Sequence, residues 1–221
     1  METRLSGLRR HPILVLGGYF IIYMISFELL EAWSRPMHLV HCGLDDIMPF
    51  CEWFVLPYVA WFAWVPLVLF LFMYRDRDNY WKLFGALVSG ITVAMVAYVV
   101  YPTGLALRHA ITQKDPLSQM IAAIYRADTS TNVCPSLHVF VTVLLFVALC
   151  NAPWMRSMLS LILHGVLALA ICASTVLIDQ HSVIDVILGA VLALICYSIF
   201  FFVRIPSTGT ARKPARASAR G

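Results

Sequence analysis

The chain has 221 residues, of which 61% are hydrophobic and only 13% are charged, with a formal net charge of +4. A mean hydropathy of +0.81 excludes a soluble globular domain and predicts an integral membrane protein. Because the basic residues form no stripe interleaved with aromatic residues, we expect membrane lipids rather than nucleic acid as partners.

Six apolar runs are separated by polar or proline-containing breaks. They lie near residues 12–30, 53–73, 83–101, 137–151, 157–178 and 183–203, and the fourth is the shortest. Hydrocarbon offers the backbone no hydrogen-bond partner, so continuous apolar runs predict helices rather than a barrel. We therefore expect an all-α six-transmembrane-helix bundle over residues 12–206, preceded by a basic arm (1–11) and followed by a disordered basic tail (207–221).

Basic residues are distributed unevenly between the two sides of such a bundle. Twelve of the 16 lysines and arginines fall on the side of the two termini, and the opposite side holds only Arg35, Arg108, Lys114 and Arg126. The positive-inside rule therefore predicts cytoplasmic termini. The basic, Ala/Arg/Pro-rich tail favours a bacterial plasma membrane.

Residues 102–135 form the longest connection, and part of it has helical spacing. Leu117, Met120, Ile121 and Ile124 recur at i, i+3, i+4 and i+7, directly after Asp115-Pro116, which is typical of a helix start. We expect a short interfacial helix between the third and fourth spans. It could wall a site open to lipid or be an ordinary loop helix.

The loop between the first two spans holds two features that the sequence leaves open. Asp45 and Asp46 could bind a cation or a lipid headgroup, or could cap a short helix. Cys42 and Cys51 of this loop, with Cys134 of a later one, could form a disulfide, although no spacing requires it. No cluster of cysteine and histidine has zinc-ligand spacing, so we expect no metal and no cofactor.

A histidine and an aspartate lie at the start of the last apolar run. His181 and Asp185 are four residues apart, which in a helix places them on one face, roughly 6 Å apart along the axis. A carboxylate there can orient the imidazole of a nucleophilic or general-base histidine. A purely structural His–Asp bond is the alternative, but ionisable groups at a membrane helix end favour function.

Three polar segments should meet at the side opposite the termini: residues 101–108, 132–138 and 174–185. Pro135 is placed for the first turn of the fourth span, so the N–H groups of Ser136, Leu137 and His138 would form an anion site. Arg108 adds a forked cation suited to phosphate oxygens. Two histidines, an aspartate and an arginine at one membrane surface favour phosphoryl transfer.

These motifs resemble those of the type 2 phosphatidic acid phosphatase superfamily. Pro-Ser-Leu-His at residues 135–138 and Ser-Thr-x5-His-x3-Asp at residues 174–185 are similar to the family's Pro-Ser-Gly-His and Ser-Arg-x5-His-x3-Asp. The leucine variant and the Tyr-Arg-Ala-Asp at residues 125–128 resemble the inositol phosphoceramide synthase-like branch. The resemblance covers residues 40–200.

The resemblance implies a role for each matching residue. His181 would attack phosphorus to form a phosphohistidine, Asp185 would orient it, and His138 would protonate the leaving oxygen. Ser136, the backbone near Leu137, and Arg108 would hold the phosphate oxygens of a lipid phosphate or diphosphate. Such a mechanism requires no metal.

The sequence also departs from the family pattern. Tyr101 stands where the family has lysine, His109 where it has proline, and Thr175, after Ser174, where it has arginine. Arg126 or Lys114 could replace one lost cation, and Asn132 could donate a hydrogen bond. The residues thus predict a lipid phosphatase, with two alternatives: a phospho-headgroup transferase, or a non-catalytic lipid-binding or transport relative.

Overall fold

The computed structural model describes residues 10–33 and 38–202. Expectations for the basic arm before residue 10, for Arg35 and for the tail from residue 203 onward lie outside the described residues.

Seven α-helices make up most of the described chain. They are α1 (Pro12–Trp33), α2 (Val55–Arg75), α3 (Arg77–Val100), α4 (Pro116–Ala127), α5 (Leu137–Cys150), α6 (Met158–Leu177) and α7 (Val183–Phe201). Five of these are long and apolar enough to cross a membrane, and α5 is a shorter apolar helix of 14 residues. The expected all-α, multi-pass membrane bundle is confirmed.

Local capping sets helix boundaries that hydropathy alone misses. The helix α3 begins at Arg77, six residues before the expected apolar start, because the Asp76 carboxylate accepts a hydrogen bond from the N–H of Asn79. Conversely, Pro135 lies before the first turn of α5 rather than in it, which corrects the sequence expectation. Ser136 is the N-cap there, and its hydroxyl accepts from the N–H of Val139.

The short helix α4 is confirmed, and it begins where the sequence predicted. The Asp115 carboxylate accepts hydrogen bonds from the N–H groups of Leu117 and Ser118, and Pro116 is the first helical residue. The apolar face of α4 packs with Val55 and Tyr58 of α2 around the buried Ile121. The helix therefore covers one end of the bundle.

The helices α5 and α7 pack against each other most closely, with α3 and α6 beside them. A glycine makes this approach feasible: a Cβ at Gly189 of α7 would lie 2.5 Å from the carbonyl oxygen of Ser136. By contrast, α1 is peripheral, since Leu30 is its only buried residue among those described. The helix that carries His138 and the helix that follows His181 are thus fixed against one another.

Because the spans alternate in direction, the ends of α3 and α6 lie beside the starts of α5 and α7. Two short parallel strands, β1 (His38–Leu39) and β2 (Thr103–Gly104), join the loops there, which the sequence did not predict. The N–H of Cys51 donates to the carbonyl of Leu177 at the end of α6, 2.8 Å away. All six cysteines are free thiols, so the disulfide left open by the sequence is not formed.

Candidate active site

A strained turn between α6 and α7 presents His181. Asp179 has a φ of 53°, a left-handed conformation that is uncommon for a residue with a side chain. The carbonyl of Thr175 accepts hydrogen bonds from the N–H groups of both Gln180 and His181, each at 2.9 Å. The hydroxyl of Tyr125 donates to the carbonyl of Ile178 at 2.9 Å. Strained backbone held from several sides is a feature of functional sites.

The same turn is tied to the first loop through a buried carboxylate. Asp45 accepts hydrogen bonds from the hydroxyl of Ser182 (2.6 Å), the N–H of Val183 (2.9 Å) and the N–H of Cys42 (2.8 Å). Burial raises the pKa of this carboxyl, but the hydrogen bonds outweigh it and hold the pKa below its usual value. Asp45 therefore caps the distant helix α7, whereas Asp46 is exposed and pairs with His41.

Asp185 connects the start of α7 to His181. His181 lies just before the N-cap Ser182, so it precedes the helix rather than sharing a helical face with Asp185. Nevertheless, Nδ1 of His181 is 3.5 Å from Oδ2 of Asp185, and both side chains are buried. The same carboxylate accepts from the N–H of Ser182 at 2.9 Å. This distance allows an ion pair once the imidazole is protonated.

His138 projects from the first turn of α5 toward His181. The centroids of the two imidazole rings are 6.3 Å apart, with their planes inclined by 56°. Aromatic side chains of α2 hold the ring of His138, with centroids 4.7 Å away for Tyr58 and 4.5 Å for Trp61. Its Nε2 is buried and has no hydrogen-bond partner among the described residues. The two rings are close enough to contact one phosphate between them.

Both histidines line one cavity of about 410 Å³. Its walls are largely aromatic, from Tyr23 and Phe27 of α1 and from α2. The polar lining comprises Glu28, Asp128, Thr129, Thr131, Asn132, Gln180 and the two histidines. A smaller apolar cavity of about 140 Å³ also contacts His138 and continues along α1 and α2. The site therefore joins a polar end to an apolar interior.

Arg108 reaches this region but is held behind Gln180. Its guanidinium donates to the carbonyls of Tyr125 (3.1 Å) and Thr129 (3.0 Å) and to Oε1 of Gln180 (3.0 Å). Arg108 itself is not among the cavity-lining residues, whereas Gln180 is. Since the arginine fixes the amide orientation, Nε2 of Gln180 is the remaining donor, and it has no partner in the described part of the chain.

Gln180 and Asp128 are site residues that the sequence reasoning missed. In the sequence, Asp128 is only the last residue of the Tyr-Arg-Ala-Asp motif, but in the structure it lines the cavity. Burial raises the pKa of its carboxyl, while His181 and Arg108 lower it and Glu31 raises it. In the sequence, the only indication of a role for Gln180 is that it directly precedes His181.

The other predicted site residues divide into two groups. Leu137 and Asn132 line the cavity, and Asn132 has a φ of 54°. Ser136 is fully buried and acts as the cap of α5, with its N–H donating to the carbonyl of Asp185 at 3.1 Å. The structure places Arg126 and Lys114 on the exposed surface, outside the cavity lining.

The positions that depart from the family pattern provide no cation to the cavity. Tyr101 is exposed and stacks on His38, with ring centroids 3.9 Å apart. The hydroxyl of Thr175 donates to the carbonyl of Cys172, and that of Ser174 to the carbonyl of Ile171. His109 bonds Asp179 on the far side of the turn. His109 thus supports the turn, and none of these four residues lines the cavity.

Two further observations bear on the chemistry. Burial, with a contribution from Asp185, raises the pKa of Cys134 to about 12, so this thiol stays protonated and is a poor nucleophile. Within residues 10–33 and 38–202, no three His, Cys, Asp or Glu side chains are arranged to hold a metal ion.

Comparisons of the chain with protein-family models, with curated proteins and with solved structures found no match.

Proposed function

We propose that this protein is a membrane lipid phosphatase that hydrolyses a lipid-linked phosphomonoester or diphosphate through a phosphohistidine at His181. The observation that carries the proposal is the 6.3 Å separation of the His138 and His181 rings in one cavity. Two imidazoles on opposite sides of one phosphate suit nucleophilic attack and protonation of the leaving group.

In the first step His181 acts as the nucleophile. Its Nδ1 lies beside Asp185, so Nε2 is the nitrogen left to attack. The Nε2–P bond forms as the P–O bond to the lipid breaks, and His138 gives its proton to the departing lipid oxygen. Asp185 stabilises the positive charge that develops on the His181 ring.

In the second step water replaces the histidine. Neutral His138 takes a proton from the water as its oxygen bonds to phosphorus, and the P–N bond breaks with its electron pair returning to His181. Phosphate then leaves, and His138 is protonated again for the next cycle. One histidine thus serves as acid and then as base.

Neutral donors are placed to hold the phosphate oxygens. Gln180 and Asn132 belong to the cavity lining and carry amide donors, and Arg108 polarises Gln180 through its 3.0 Å hydrogen bond. Donors that are fixed before reaction stabilise the charge of the transition state without reorganisation.

The walls of the site favour a lipid over a soluble phosphate ester. The apolar cavity beside His138 is bounded by Leu16, Phe20 and Leu87, so a hydrocarbon chain can lie there while its phosphate meets the histidines. Combined with the positive-inside distribution, this supports cytoplasmic termini and a reaction at the extracytoplasmic face of a plasma membrane.

A second candidate is transfer of a phospho-headgroup to an alcohol. The cavity has hydroxyl groups at Thr129 and Thr131 in addition to the amides, and these groups could orient an acceptor alcohol in place of water. The same phosphohistidine would serve both reactions, so only the acceptor differs.

The test is phosphate release from a panel of lipid phosphates and diphosphates by the purified full-length chain in detergent, with and without acceptor alcohols. We expect release that is lost in His181→Asn. Transfer to an alcohol without release would favour the transferase. If neither reaction occurs and no phosphorylated protein forms, the proposed enzymatic activity is contradicted, and a non-catalytic role in lipid binding or transport is favoured.

A further inference from the structure

The cavity that holds the two histidines has an acidic end. Glu28 and Asp128 line it, and its described lining includes no lysine or arginine. The nearest cation is Arg108, which bonds Gln180 and two backbone carbonyls. A doubly negative phosphate bound in this cavity would therefore have no lysine or arginine of the lining to neutralise its charge.

Asp128 lies close to the reacting centre. It follows α4, where its N–H donates to the carbonyl of Ile124 at 2.9 Å. Burial raises the pKa of its carboxyl, the charges of His181 and Arg108 lower it, and Glu31 raises it. Glu31 in turn accepts hydrogen bonds from the N–H and hydroxyl of Thr129. Asp128 and Glu31 thus form an interacting pair of carboxylates, of which Asp128 lines the cavity.

The residues that line this cavity also include buried donors. Nε2 of Gln180 and Nε2 of His138 are buried without hydrogen-bond partners among the described residues, and Gln180 is only 2% exposed. Buried donors without partners are costly, so these atoms indicate a ligand with acceptor oxygens. The cavity is therefore matched to a ligand that carries both acceptor oxygens and a positive charge.

The aromatic wall suits the cationic end. Tyr23 and Phe27 of α1 and Phe62 of α2 line the cavity with Glu28 and Asp128. Ammonium groups bind favourably over aromatic faces, and a neighbouring carboxylate adds to this attraction. A dianionic phosphate lipid without an ammonium would instead bring its charge toward Asp128.

We propose that the substrate is a lipid phosphoester that carries an ammonium group close to its phosphate, with Asp128 binding the ammonium. This inference rests on the proposed function, since it names the substrate class of the same site. The ammonium can belong to the lipid, as in the 1-phosphate of a long-chain amino alcohol, which is a substrate for the proposed phosphatase. It can instead belong to the headgroup, as in a phosphoethanolamine lipid, a phosphodiester that is a substrate for the headgroup-transfer candidate. In both cases Asp128 neutralises the ammonium while Gln180 and the histidines contact the phosphate.

N-acylation provides a matched test because it removes the ammonium charge and leaves the phosphate unchanged. The full-length protein in mixed micelles is assayed on a long-chain amino alcohol 1-phosphate and its N-acyl derivative, and on phosphatidylethanolamine and its N-acyl derivative. We expect kcat/KM to be about tenfold or more higher for the free amine in at least one pair, mainly through KM. The pair with the larger ratio identifies which part of the substrate carries the ammonium.

Asp128→Asn tests the assigned residue. It keeps the size of the side chain and removes its charge, so the ratio within the preferred pair should fall toward one. Asp46→Asn is the control, because this exposed carboxylate pairs with His41 outside the cavity, and it should keep the wild-type ratio.

Four results would overturn the inference. One is equal rates for amine and N-acyl substrates; this comparison uses the wild-type protein, so it is valid even if Asp128→Asn fails to fold. Another is a preference that survives in Asp128→Asn. If neither pair is cleaved and no phosphorylated protein forms with any lipid phosphate, the inference fails together with the proposed function. Cleavage of other lipid phosphates with no ammonium preference would contradict the inference alone.

Discussion

The imidazole rings of His138 and His181 face each other across the end of the bundle, with centroids 6.3 Å apart. They belong to different helix starts: His138 to the first turn of α5, and His181 to the turn just before α7. The close packing of α5 on α7 sets this distance, and the hydrogen bond from Ser136 N–H to the carbonyl of Asp185 joins the two starts directly. The relation between the histidines is thus a property of helix packing.

Gly189→Ala should disturb that packing. The new methyl group would lie 2.5 Å from the carbonyl oxygen of Ser136 and 3.3 Å from the nitrogen of Phe140, which are backbone atoms that cannot rotate away. We expect a loss of about 1–3 kcal/mol in stability, a melting temperature lower by several degrees, and kcat at least about tenfold lower. Gly17→Ala is the control, since open space surrounds that position. A Gly189→Ala protein with wild-type melting and activity would contradict this packing.

His138→Gln should separate acid catalysis from nucleophilic attack. We expect about 10²–10⁴-fold slower hydrolysis of a lipid phosphate, whose alkoxide leaving group needs a proton. An aryl phosphate with an acidic leaving group needs none, so its first step should lose much less. His164→Gln is the control, because His164 only accepts a hydrogen bond from Trp64 within the bundle. Equal losses for both substrates in the first step, measured as the initial burst of the released alcohol or phenol, would mean that His138 is not the acid.

Gln180→Glu should weaken phosphate binding while preserving the contact with Arg108. The new carboxylate still accepts from the guanidinium, but it replaces the Nε2 donor with an acceptor that repels phosphate. We expect KM and the inhibition constant of inorganic phosphate to rise about tenfold or more. Gln119→Glu is the control, because it makes the same substitution at an exposed position of α4. An unchanged inhibition constant of phosphate in Gln180→Glu would show that Gln180 does not bind the phosphate.

Asp45→Asn should lower stability in a pH-dependent manner. The folded-state pKa of Asp45 is lower than its usual 3.8, so its contribution is fully present above the unfolded pKa and is lost as pH falls through the folded pKa. The melting temperature of Asp45→Asn should therefore be lower than wild type above about pH 5, and the difference should shrink as pH falls below 3.8.

Asp46→Asn is the comparison for this variant, because its carboxylate is exposed and pairs only with His41 among the described residues. A melting difference between Asp45→Asn and wild type that is the same at all pH values would show that charge is not the cause.

The sequence predicted the helices well because hydropathy and helical spacing are local signals. The expected fourth span, 137–151, differs from α5 by a single residue, and Asp115-Pro116 gave the start of α4. The start of α3 was missed because Asp76 extends the helix into polar residues.

The site was only partly predictable, since its supporting contacts join distant segments. Asp45 meets Ser182, and Arg108 meets Gln180, through hydrogen bonds between single polar residues that form no periodic pattern. Spacing also placed His181 on a helical face with Asp185, whereas the helix begins two residues after His181. The pair nevertheless lies within 3.5 Å, because the Ser182–Asp185 cap folds the turn back onto the carboxylate.

The most direct test of the account is detection of the covalent intermediate. The protein is incubated with a lipid substrate labelled at phosphorus, quenched in alkali to preserve the acid-labile P–N bond, and mapped by proteolysis and mass spectrometry. We predict phosphate on His181, none in His181→Asn, and more in His138→Gln supplied with an aryl phosphate, because hydrolysis of the intermediate is slowed there. Turnover that continues in His181→Asn, or a phosphate mapped to another residue, would contradict the account.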